Sequence, residues 1–390
     1  MERMGAASPP EPLDDADILD RVHALCDRIE KIYESGCYAK ITVHRHWSHH
    51  NPTISGKIAR PTAFRWYLER ELRHLLEQGA RIEVEPARQR IRLDSPRLLE
   101  RIDESALDLT KKKLFLFGPE RVDLSVERLE HYTATKACDF QRIILLTNYQ
   151  MHIEAFVERF PDCIRPDRAG AQMPAYHAAA PGNTGLTIVN IGVSPSNAKN
   201  MTDHVAVLRP DAMLMIGHCA GVRNHQEIGD FVLASGYMRA DRVLDDALPL
   251  SVPVTPNFVL NRHLARVLDE RKHRYRLGTV YTTVDRNWEL FLQSSLPELR
   301  VSRSVAVDME SATVAANGFR YRIPSATLLC ISDKPLHGQP KLPSAARRFY
   351  QESKEQHLAI AIEALDGARK EFPDGFPNSE LRAPDEPLIR

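Results

Sequence analysis

The sequence predicts an α/β protein: a central, mostly parallel β-sheet flanked by helices, preceded by a smaller α+β domain. Two observations support this prediction. After about residue 140, short runs of β-branched and other apolar residues alternate with stretches whose apolar residues recur at helical spacing, a rhythm typical of βαβ units. Before that point strands and helices also occur, but without regular alternation. The length of 390 residues allows two or three domains of roughly 100–200 residues each.

Changes in composition and rhythm divide the chain into four predicted segments. Residues 1–14 are rich in Pro, Ala and acidic side chains, a composition typical of a disordered tail. Residues 15–136 form the smaller domain and residues 137–372 the α/β domain. Residues 373–390 are predicted to be a C-terminal tail.

The smaller domain mixes both kinds of secondary structure. Its predicted elements are a helix over 15–33 capped by Asp14 or Asp15, a strand over 38–47, a helix over 59–79 that ends at Gly79, and a pair of strands over 81–94 broken around Pro86. The helix start follows from the preference for Asp at N-caps, and its end from the preference for Gly just past the last turn.

The α/β domain alternates strands with helices along almost its whole length. The predicted strands are 141–149, 186–193, 212–221, 230–238, 277–284, 304–310 and 325–333, and the predicted helices are 151–160, 196–210, 257–272, 311–319 and 344–372. In a largely parallel sheet, functional residues gather at the carboxyl ends of the strands. The unusual residues of this chain lie at such ends.

The charge balance argues against a nucleic-acid partner. Lys plus Arg and Asp plus Glu both number 52, whereas nucleic-acid-binding proteins usually carry a basic excess. The six cysteines are scattered and form no C-x-x-C pair, which suits a reducing compartment. The sequence has no apolar signal segment at its start and no long apolar run. We therefore predict a cytoplasmic protein that is not embedded in a membrane.

The first distinctive strand end is NIGVSPSNAK, residues 190–199. A helix is predicted to open near Ser196, and the free N–H groups at such an opening favour an anion. Ser194, Asn197 and Lys199 lie beside it. The alternative is a capped turn with no ligand, and the spacing of a P-loop is absent.

Three further strand ends carry residues suited to chemistry. MIGHCAGV brings Gly217 and His218 to the edge of the sheet, where small residues let a ligand approach closely; the alternative for His218 is a structural role. Glu310 stands between a strand and a helix, where a carboxylate also simply stabilises a first turn. Asp333 follows an apolar strand, so burial should raise its pKa as a general acid requires. The alternative role for Asp333 is that of a helix N-cap.

The order of these motifs resembles the bacterial AMP nucleosidases, within the purine nucleoside phosphorylase and nucleosidase superfamily. The motifs, in chain order, are G-V-x-P-S-N-A, G-H-C-x-G, I-G-D, D-R-N-W, D-M-E-S-A-T and S-D-K-P-L-H-G. The resemblance covers about residues 141–365 and continues upstream through ARPTAFRWYL and RVDLSVERLEHYTAT. It implies a nucleoside phosphorylase-like fold and an N-glycosyl hydrolase that converts AMP into adenine and ribose 5-phosphate.

The resemblance also implies roles for single residues. Met309 packs against the ribose and Glu310 binds its hydroxyls, while Asp333 protonates the purine at N7. Trp288 lies where relatives place an aromatic ring that stacks on the base. The turns at Gly192 and at 217–221 form the floor of the ribose site.

The nucleophile is predicted to be water rather than phosphate. Phosphorylase relatives place one arginine in the turn after the first strand and another two residues before the glycine of the glycine-turn strand. Here the first turn is LTNYQMH, which has no arginine, and the second position is Met215. A phosphate nucleophile would therefore lack charge-assisted partners. The residue that activates water stays unassigned, with Gln150 and Glu154 near the place where related nucleosidases carry a glutamate.

The 5′-phosphate of AMP needs binding groups of its own. The candidates are Ser194, Ser196, Asn197 and Lys199 at the helix opening, and Arg60 or Arg65 in the smaller domain. The resemblance further implies a homohexamer, and a regulatory first domain that binds effectors such as ATP or phosphate.

No metal or cofactor is predicted. His44 and His46 share one face of a strand, but no cysteine or carboxylate lies near them in the sequence, so we favour a polar hairpin tip over a structural metal site. A nucleophilic role for Cys219 is disfavoured because cleavage in the family that the chain resembles is not covalent.

Two rival functions are a nucleosidase for an unphosphorylated purine nucleoside and a nucleotide-binding regulator with a dead active site. The presence of both Glu310 and Asp333 argues against the regulator.

Overall fold

The computed structural model describes residues 14–48, 52–91, 93, 98, 113–341, 343–377 and 386–390. The predicted tail at residues 1–13 lies outside these residues. The chain forms two compact units that divide after Val126, and the C-terminal residues from Arg382 belong to the first unit. The sequence prediction placed this division ten residues later, after residue 136, and treated the C-terminus as a tail.

The first unit contains a three-stranded antiparallel sheet in the order β2-β1-β3. Its elements are α1 (Asp15–Glu34), β1 (Cys37–His44), β2 (Thr53–Ile58), α2 (Arg65–Glu77), β3 (Arg81–Arg90) and α3 (Pro119–Thr133), within which the division falls. The predicted caps are confirmed: the Asp14 carboxylate accepts a hydrogen bond from the Asp17 amide, and Gly79 follows α2 with a positive φ of 81°.

The predicted pair of strands over 81–94 was wrong. Arg81–Arg90 is one strand, and Pro86 lies opposite Ala39 at a point where the register shifts. Proline lacks an N–H donor, but β3 is an edge strand, and edge strands tolerate this loss. The partner on the other side of β1 is β2, which the sequence analysis did not identify.

A buried carboxylate accounts for the position of the division. Asp123, on α3, has no exposed surface. It accepts hydrogen bonds from the Tyr33 hydroxyl at 2.5 Å, the Tyr38 hydroxyl at 2.8 Å and Arg60 Nε at 2.9 Å. These contacts stabilise the first part of α3 within the first unit. The extreme C-terminus joins the same unit because Ile389 pairs with Phe115 in a parallel bridge.

The second unit is built on a mixed sheet of eight described strands in the order β10-β9-β8-β11-β7-β4-β6-β5. The strands are β4 (Ile143–Thr147), β5 (Ala175–Ala178), β6 (Leu186–Asn190), β7 (Ala212–Gly221), β8 (Phe231–Arg239), β9 (Tyr275–Thr282), β10 (Ala306–Asp308) and β11 (Ser325–Asp333). Five of the strand pairs are parallel, which confirms the predicted α/β class.

The sheet closes on itself at one end. Strand β10 pairs with β9 and also, antiparallel, with β7. Five strands, β10, β9, β8, β11 and β7, therefore form a closed ring. Closure removes free strand edges and makes the relative positions of these strands depend on main-chain hydrogen bonds.

Helices surround this sheet and cover its apolar side chains. They are α4 (Gln150–Arg159), α5 (Pro195–Val205), α6 (Phe258–Glu270), α7 (Leu292–Val301), α8 (Ser311–Arg320) and α9 (Pro343–Glu371). One large core cluster contains side chains from α4, α6, α9 and strands β4, β6, β7, β8 and β11. Within the described residues, no helix combines the length and the apolar character that a membrane crossing requires.

Candidate active site

Two strand ends that carry acidic residues meet at Ala220. Its backbone pairs with Asp333 of β11 on one side and with Val307 of β10 on the other. Glu310 follows β10 by two residues. The closed ring therefore brings the ends of β10 and β11, with their carboxyl groups, to one region of the molecule.

Glu310 is almost completely buried, with 1% of its surface exposed. Its Oε2 accepts a hydrogen bond of 2.8 Å from the Asn148 side chain, which follows β4. Burial raises the pKa of Glu310 well above its usual value, and the neighbouring Asp308 carboxylate raises it further. The Ser194 amide and Asn148 act in the opposite direction because they donate to the charged form. The Glu310 side chain makes no capping bond to α8, so the first-turn alternative for its role is not supported.

Asp308 positions the segment that carries Glu310. Its carboxylate accepts hydrogen bonds from the Thr282 hydroxyl at 2.6 Å and from the Ser311 amide at 2.9 Å. Burial raises the pKa of Asp308. Sequence reasoning noted the D-M-E motif but gave Asp308 no role, because its partners come from β9 and α8.

Asp333 is the second buried carboxyl group of the site, with 8% of its surface exposed. Its Oδ1 accepts a hydrogen bond of 2.6 Å from the Ser332 hydroxyl. Burial raises the pKa of Asp333, and the charge of Glu289 adds to this effect. The Ser332 hydrogen bond and the Lys341 ammonium lower the pKa in part. A carboxyl group with a raised pKa keeps its proton to higher pH and can donate it to a basic atom.

The predicted base and ribose contacts, Trp288 and Met309, lie near these two acidic strand ends. Trp288 is buried in an apolar cluster with Ala220, Val222 and Tyr281. Glu289 directly follows it and acts electrostatically on Asp333, so the Trp288 segment adjoins the acid. Met309 is half-buried beside Glu310.

The turn before α5 is built as a capped helix start. Gly192 has a φ of 65°, which glycine adopts without strain. The Ser194 hydroxyl accepts from the Ser196 amide at 3.1 Å. Asn197 lies beside Gly192, where an added Cβ would come within 3.4 Å of its amide nitrogen. The Lys199 ammonium forms an ion pair of 2.7 Å with Asp203, so its charge is already neutralised.

Arg65, the candidate from the smaller domain, is also engaged. In the first unit its guanidinium forms ion pairs with Asp27, Glu30 and Glu69, at 2.8, 2.9 and 2.8 Å. Three carboxylates around one guanidinium leave it poorly suited to a phosphate. Arg65 therefore has a structural explanation that requires no ligand.

The glycine turn of β7 places Gly217 against the site and His218 in the core. A Cβ on Gly217 would meet the Asn148 side-chain oxygen at 3.4 Å. His218 is buried and its ring lies 4.5 Å from the Tyr149 ring, edge to face. Gln150 and Glu154 line a cleft of about 470 Å³ that Arg165 and Tyr176 also border.

One group of described residues has the spacing of metal ligands. One ring nitrogen from each of His152, His218 and His357 lies within 4.8 Å of the other two. Burial lowers the pKa of all three, which favours the neutral imidazole form. His152 is bonded to the Thr147 hydroxyl and His357 to the Leu328 carbonyl. Lys341 acts electrostatically on His218, and a nearby ammonium opposes a cation. We therefore interpret the group as packed core histidines.

Cys219, the rejected nucleophile, is buried in the core of the sheet. Burial raises its pKa well above the usual value. A thiol in this state is a poor nucleophile because the thiolate is the reactive form.

Comparison with known proteins places the chain in a family. Residues 142–366 match the model of the phosphorylase superfamily. The chain is 40% identical to the AMP nucleosidase of Escherichia coli strain K12, over 87% of this chain and 84% of that protein.

Solved structures agree with this placement. The AMP nucleosidase from Bacteroides thetaiotaomicron superposes with a TM-score of 0.55 and 29% identity, covering 64% of this chain and 98% of that one. The purine nucleoside phosphorylase from Toxoplasma gondii, at 14% identity, shares the fold with a TM-score of 0.53, covering 62% and 98% of the two chains. The chain therefore belongs to the phosphorylase superfamily and, within it, to the family of the AMP nucleosidases.

Proposed function

We infer that this protein hydrolyses the N-glycosidic bond of AMP, releasing adenine and ribose 5-phosphate in purine nucleotide metabolism. The observation that carries the inference is the pair of buried carboxyl groups, Glu310 just after β10 and Asp333 at the end of β11, since both strands pair with Ala220. The 40% identity with an AMP nucleosidase over most of both chains identifies the substrate.

Asp333 acts as the general acid in the proposed mechanism. Adenine is a poor leaving group as an anion, and protonation at N7 lets it depart neutral. Burial raises the pKa of Asp333, which favours the protonated form that donates to N7. General acid catalysis of this kind contributes typically ~10²–10⁴-fold to the rate.

Glu310 acts on the sugar. As the glycosidic bond breaks, positive charge develops on the ribose ring, as in glycoside hydrolysis. An ionised Glu310 stabilises that charge and accepts hydrogen bonds from the ribose hydroxyls. The donors that favour its charged form are Asn148, directly after β4, and the amide of Ser194, the N-cap residue of α5.

Water completes the reaction at the anomeric carbon. The turn after β4 contains Asn148 and Tyr149 rather than an arginine, and Met215 is buried within β7. Neither position supplies a cation for a phosphate nucleophile. These substitutions support hydrolysis over phosphorolysis.

The remaining substrate contacts are proposals for the same strand ends. Met309 packs against the ribose, Trp288 lies against the base, and the turns at Gly192 and Gly217 form the floor of the ribose site. Their support is the position of Met309 beside Glu310, of the Trp288 segment near Asp333 and of Gly217 beside Asn148. Gly192 lies two residues before Ser194, whose amide donates to Glu310.

We also propose that the protein is cytoplasmic, assembles as a homohexamer and responds to ATP or phosphate through its first unit. The support for the assembly and the effectors is the resemblance of the sequence motifs to the AMP nucleosidases. The alignment with the E. coli protein spans 87% of the chain and so extends beyond the second unit into the first. None of the proposed catalytic groups lies in the first unit.

A product assay tests the function directly. Purified protein is incubated with AMP or adenosine, with and without inorganic phosphate, and the products are separated by chromatography. We expect adenine and ribose 5-phosphate from AMP, with no requirement for phosphate. Release of adenine from adenosine but not from AMP would identify a nucleosidase for unphosphorylated substrates. Release of no base from either compound would identify a non-catalytic nucleotide-binding protein.

The Asn148→Ala variant should lose activity through Glu310. Removing the amide donor disfavours the charged form of Glu310 and raises its pKa further. Because the ionised form is the active one, the acidic limb of the pH–rate profile should move to higher pH. Loss of a hydrogen bond to a charged group should lower kcat/KM about 10- to 100-fold. An Asn148→Ala enzyme with an unchanged acidic limb would show that Asn148 does not act on Glu310.

A further inference from the structure

We propose that His152 is a positioning residue that stabilises, through the Thr147 hydroxyl, the turn that carries Asn148. Asn148 donates to Glu310, so the inference rests on the function proposed for that carboxylate. Thr147 is the last residue of β4 and His152 lies in the first turn of α4. His152 has no exposed surface, and it therefore acts through other residues rather than on the substrate.

Two hydrogen bonds to one hydroxyl close the turn after β4. The Tyr149 amide donates to Thr147 Oγ1 at 3.2 Å, and His152 Nδ1 lies 2.7 Å from the same oxygen. A threonine hydroxyl that accepts from the amide two residues further on makes a local turn. Asn148 is the residue inside this turn, so the orientation of the Thr147 side chain determines where the Asn148 backbone lies.

The hydroxyl proton of Thr147 is directed at His152. The Tyr149 amide supplies its own proton to Thr147 Oγ1. Among the described residues, the acceptor that remains for the hydroxyl proton is His152 Nδ1. Burial lowers the pKa of His152 well below its usual value, which favours the neutral imidazole, and a neutral ring can accept at Nδ1. We therefore assign the Thr147 hydroxyl as the donor of this bond.

The surroundings of His152 fix the orientation of its ring. The ring stacks on His218 with 5.6 Å between the centroids, and it meets His357 edge to face at 4.8 Å and Tyr149 at 6.0 Å. His357 also lowers the pKa of His152 electrostatically, and the Lys341 ammonium acts in the same direction on His218. A ring that is packed on several sides and neutral can hold its hydrogen-bond partner in one position.

The position of Asn148 matters because its bond to Glu310 depends on distance and direction. Asn148 Nδ2 donates to Glu310 Oε2 at 2.8 Å, and such bonds weaken steeply when they are stretched or bent. The Thr147 carbonyl accepts from the Ile191 amide at 2.8 Å, which fixes the chain before Asn148. The bonds to the Thr147 hydroxyl fix the chain after it.

A second buried threonine has the same two kinds of partner and provides a matched control. Thr187 Oγ1 accepts from the Gln141 amide at 2.8 Å and lies 2.9 Å from His177 Nδ1. Thr187 and His177 have no exposed surface, as is also true of Thr147. Gln141 precedes β4, whereas Asn148 follows it, so the Thr187 group lies at the opposite end of that strand from the acidic site.

The Thr147→Val variant tests the assignment. A displaced Asn148 favours the charged form of Glu310 less, so the acidic limb of the kcat/KM profile should move to higher pH by about 0.5–1 pH unit. At neutral pH, kcat/KM for AMP should fall roughly 3- to 10-fold. Thr147→Ser keeps the hydroxyl and should leave the limb near its wild-type position. Thr187→Val loses bonds of the same kind and should not move the limb at all.

Variants of the helix side test the same bond independently of Thr147. His152→Leu should move the acidic limb in the same direction, and His152→Asn, which places an amide oxygen near Nδ1, should move it less. In an Asn148→Ala background Thr147→Val should add no further movement, because both changes act through one bond. An unmoved limb in either Thr147→Val or His152→Leu, or a full additional movement in the Asn148→Ala background, would overturn the assignment.

A titration that needs no turnover separates this inference from the proposed reaction. Infrared difference spectroscopy follows the protonated carboxyl band that Glu310→Gln removes from the spectrum. The midpoint of this band should rise in Thr147→Val and stay unchanged in Thr187→Val. A protein that shows this pattern but releases no adenine would overturn only the proposed function. An active hydrolase with equal midpoints in the wild type and Thr147→Val would overturn only the role of His152.

Discussion

Replacing Asp333 by Asn is expected to lower kcat for AMP by about 10²–10⁴-fold, the usual contribution of a positioned general acid. The amide keeps the size of the side chain and can still accept from the Ser332 hydroxyl, but it has no acidic proton for N7. AMP binding should stay near the wild-type value. Steady-state kinetics together with a direct binding titration measure the two quantities separately.

The pH–rate profile provides the control for this prediction. Burial raises the pKa of Asp333, and the protonated form is the active one, so the wild-type rate should fall as the pH rises through that pKa. The Asn variant should lack this alkaline limb. Ser332→Ala removes a hydrogen bond that favours the charged form and should move the limb to higher pH. A full alkaline limb in Asp333→Asn would assign the acid to another group.

Replacing Glu310 by Gln should have two opposite effects. Activity should fall by about 10²–10³-fold, as when one electrostatic partner of a transition-state charge is removed. Stability at neutral pH should rise, because a buried carboxylate is replaced by a neutral amide that still accepts from Asn148. Functional sites commonly combine activity with such a local cost in stability.

The pH dependence of unfolding tests the stability effect. Burial raises the folded-state pKa of Glu310, so the wild type loses stability as the pH rises from the unfolded value of about 4.3 through the folded one. Below that range both side chains are neutral, and the two proteins should unfold at similar temperatures. At pH 8 the variant should have the higher Tm, by roughly 2–4 °C per kcal/mol for a domain of 150–250 residues. A lower Tm for Glu310→Gln at pH 8 would contradict the explanation.

Most strands and helices of the second unit could be predicted because their signals are local. Runs such as 212–221 and 325–333 are mostly apolar, and the structure has strands with those same bounds. The elements that were missed have weak or misleading local signals. Strand β5 is four residues long and exists through its antiparallel pairing with β6. Helix α7 carries Pro297 inside it, which a local reading takes as a break.

The site could be predicted only where a strand end marked it. Glu310 and Asp333 stand out in the sequence because each follows an apolar run. Asn148 carries no such mark, and its partner Glu310 lies 162 residues away. The hydrogen bond that the Lys341 ammonium donates to the Tyr149 hydroxyl spans 192 residues. Contacts of this length follow from the strand order, in which β4 lies beside β7 and β7 pairs with β10 and β11, and no local pattern in the sequence specifies that order.

Because Ala220 pairs with both β10 and β11, the sheet fixes the distance between the two strand ends that carry the carboxyl groups. Neighbouring strands lie about 4.8 Å apart, so the chains that carry the two carboxyl groups are held roughly 10 Å apart by main-chain bonds alone. Side-chain substitutions can alter which part of a substrate binds at each strand end, but they do not alter the distance between the two strands. New substrates could therefore arise by substitutions in the peripheral turns, provided that they keep a base and a sugar at the same spacing. A family with this framework can diversify its specificity while it inherits its chemistry unchanged.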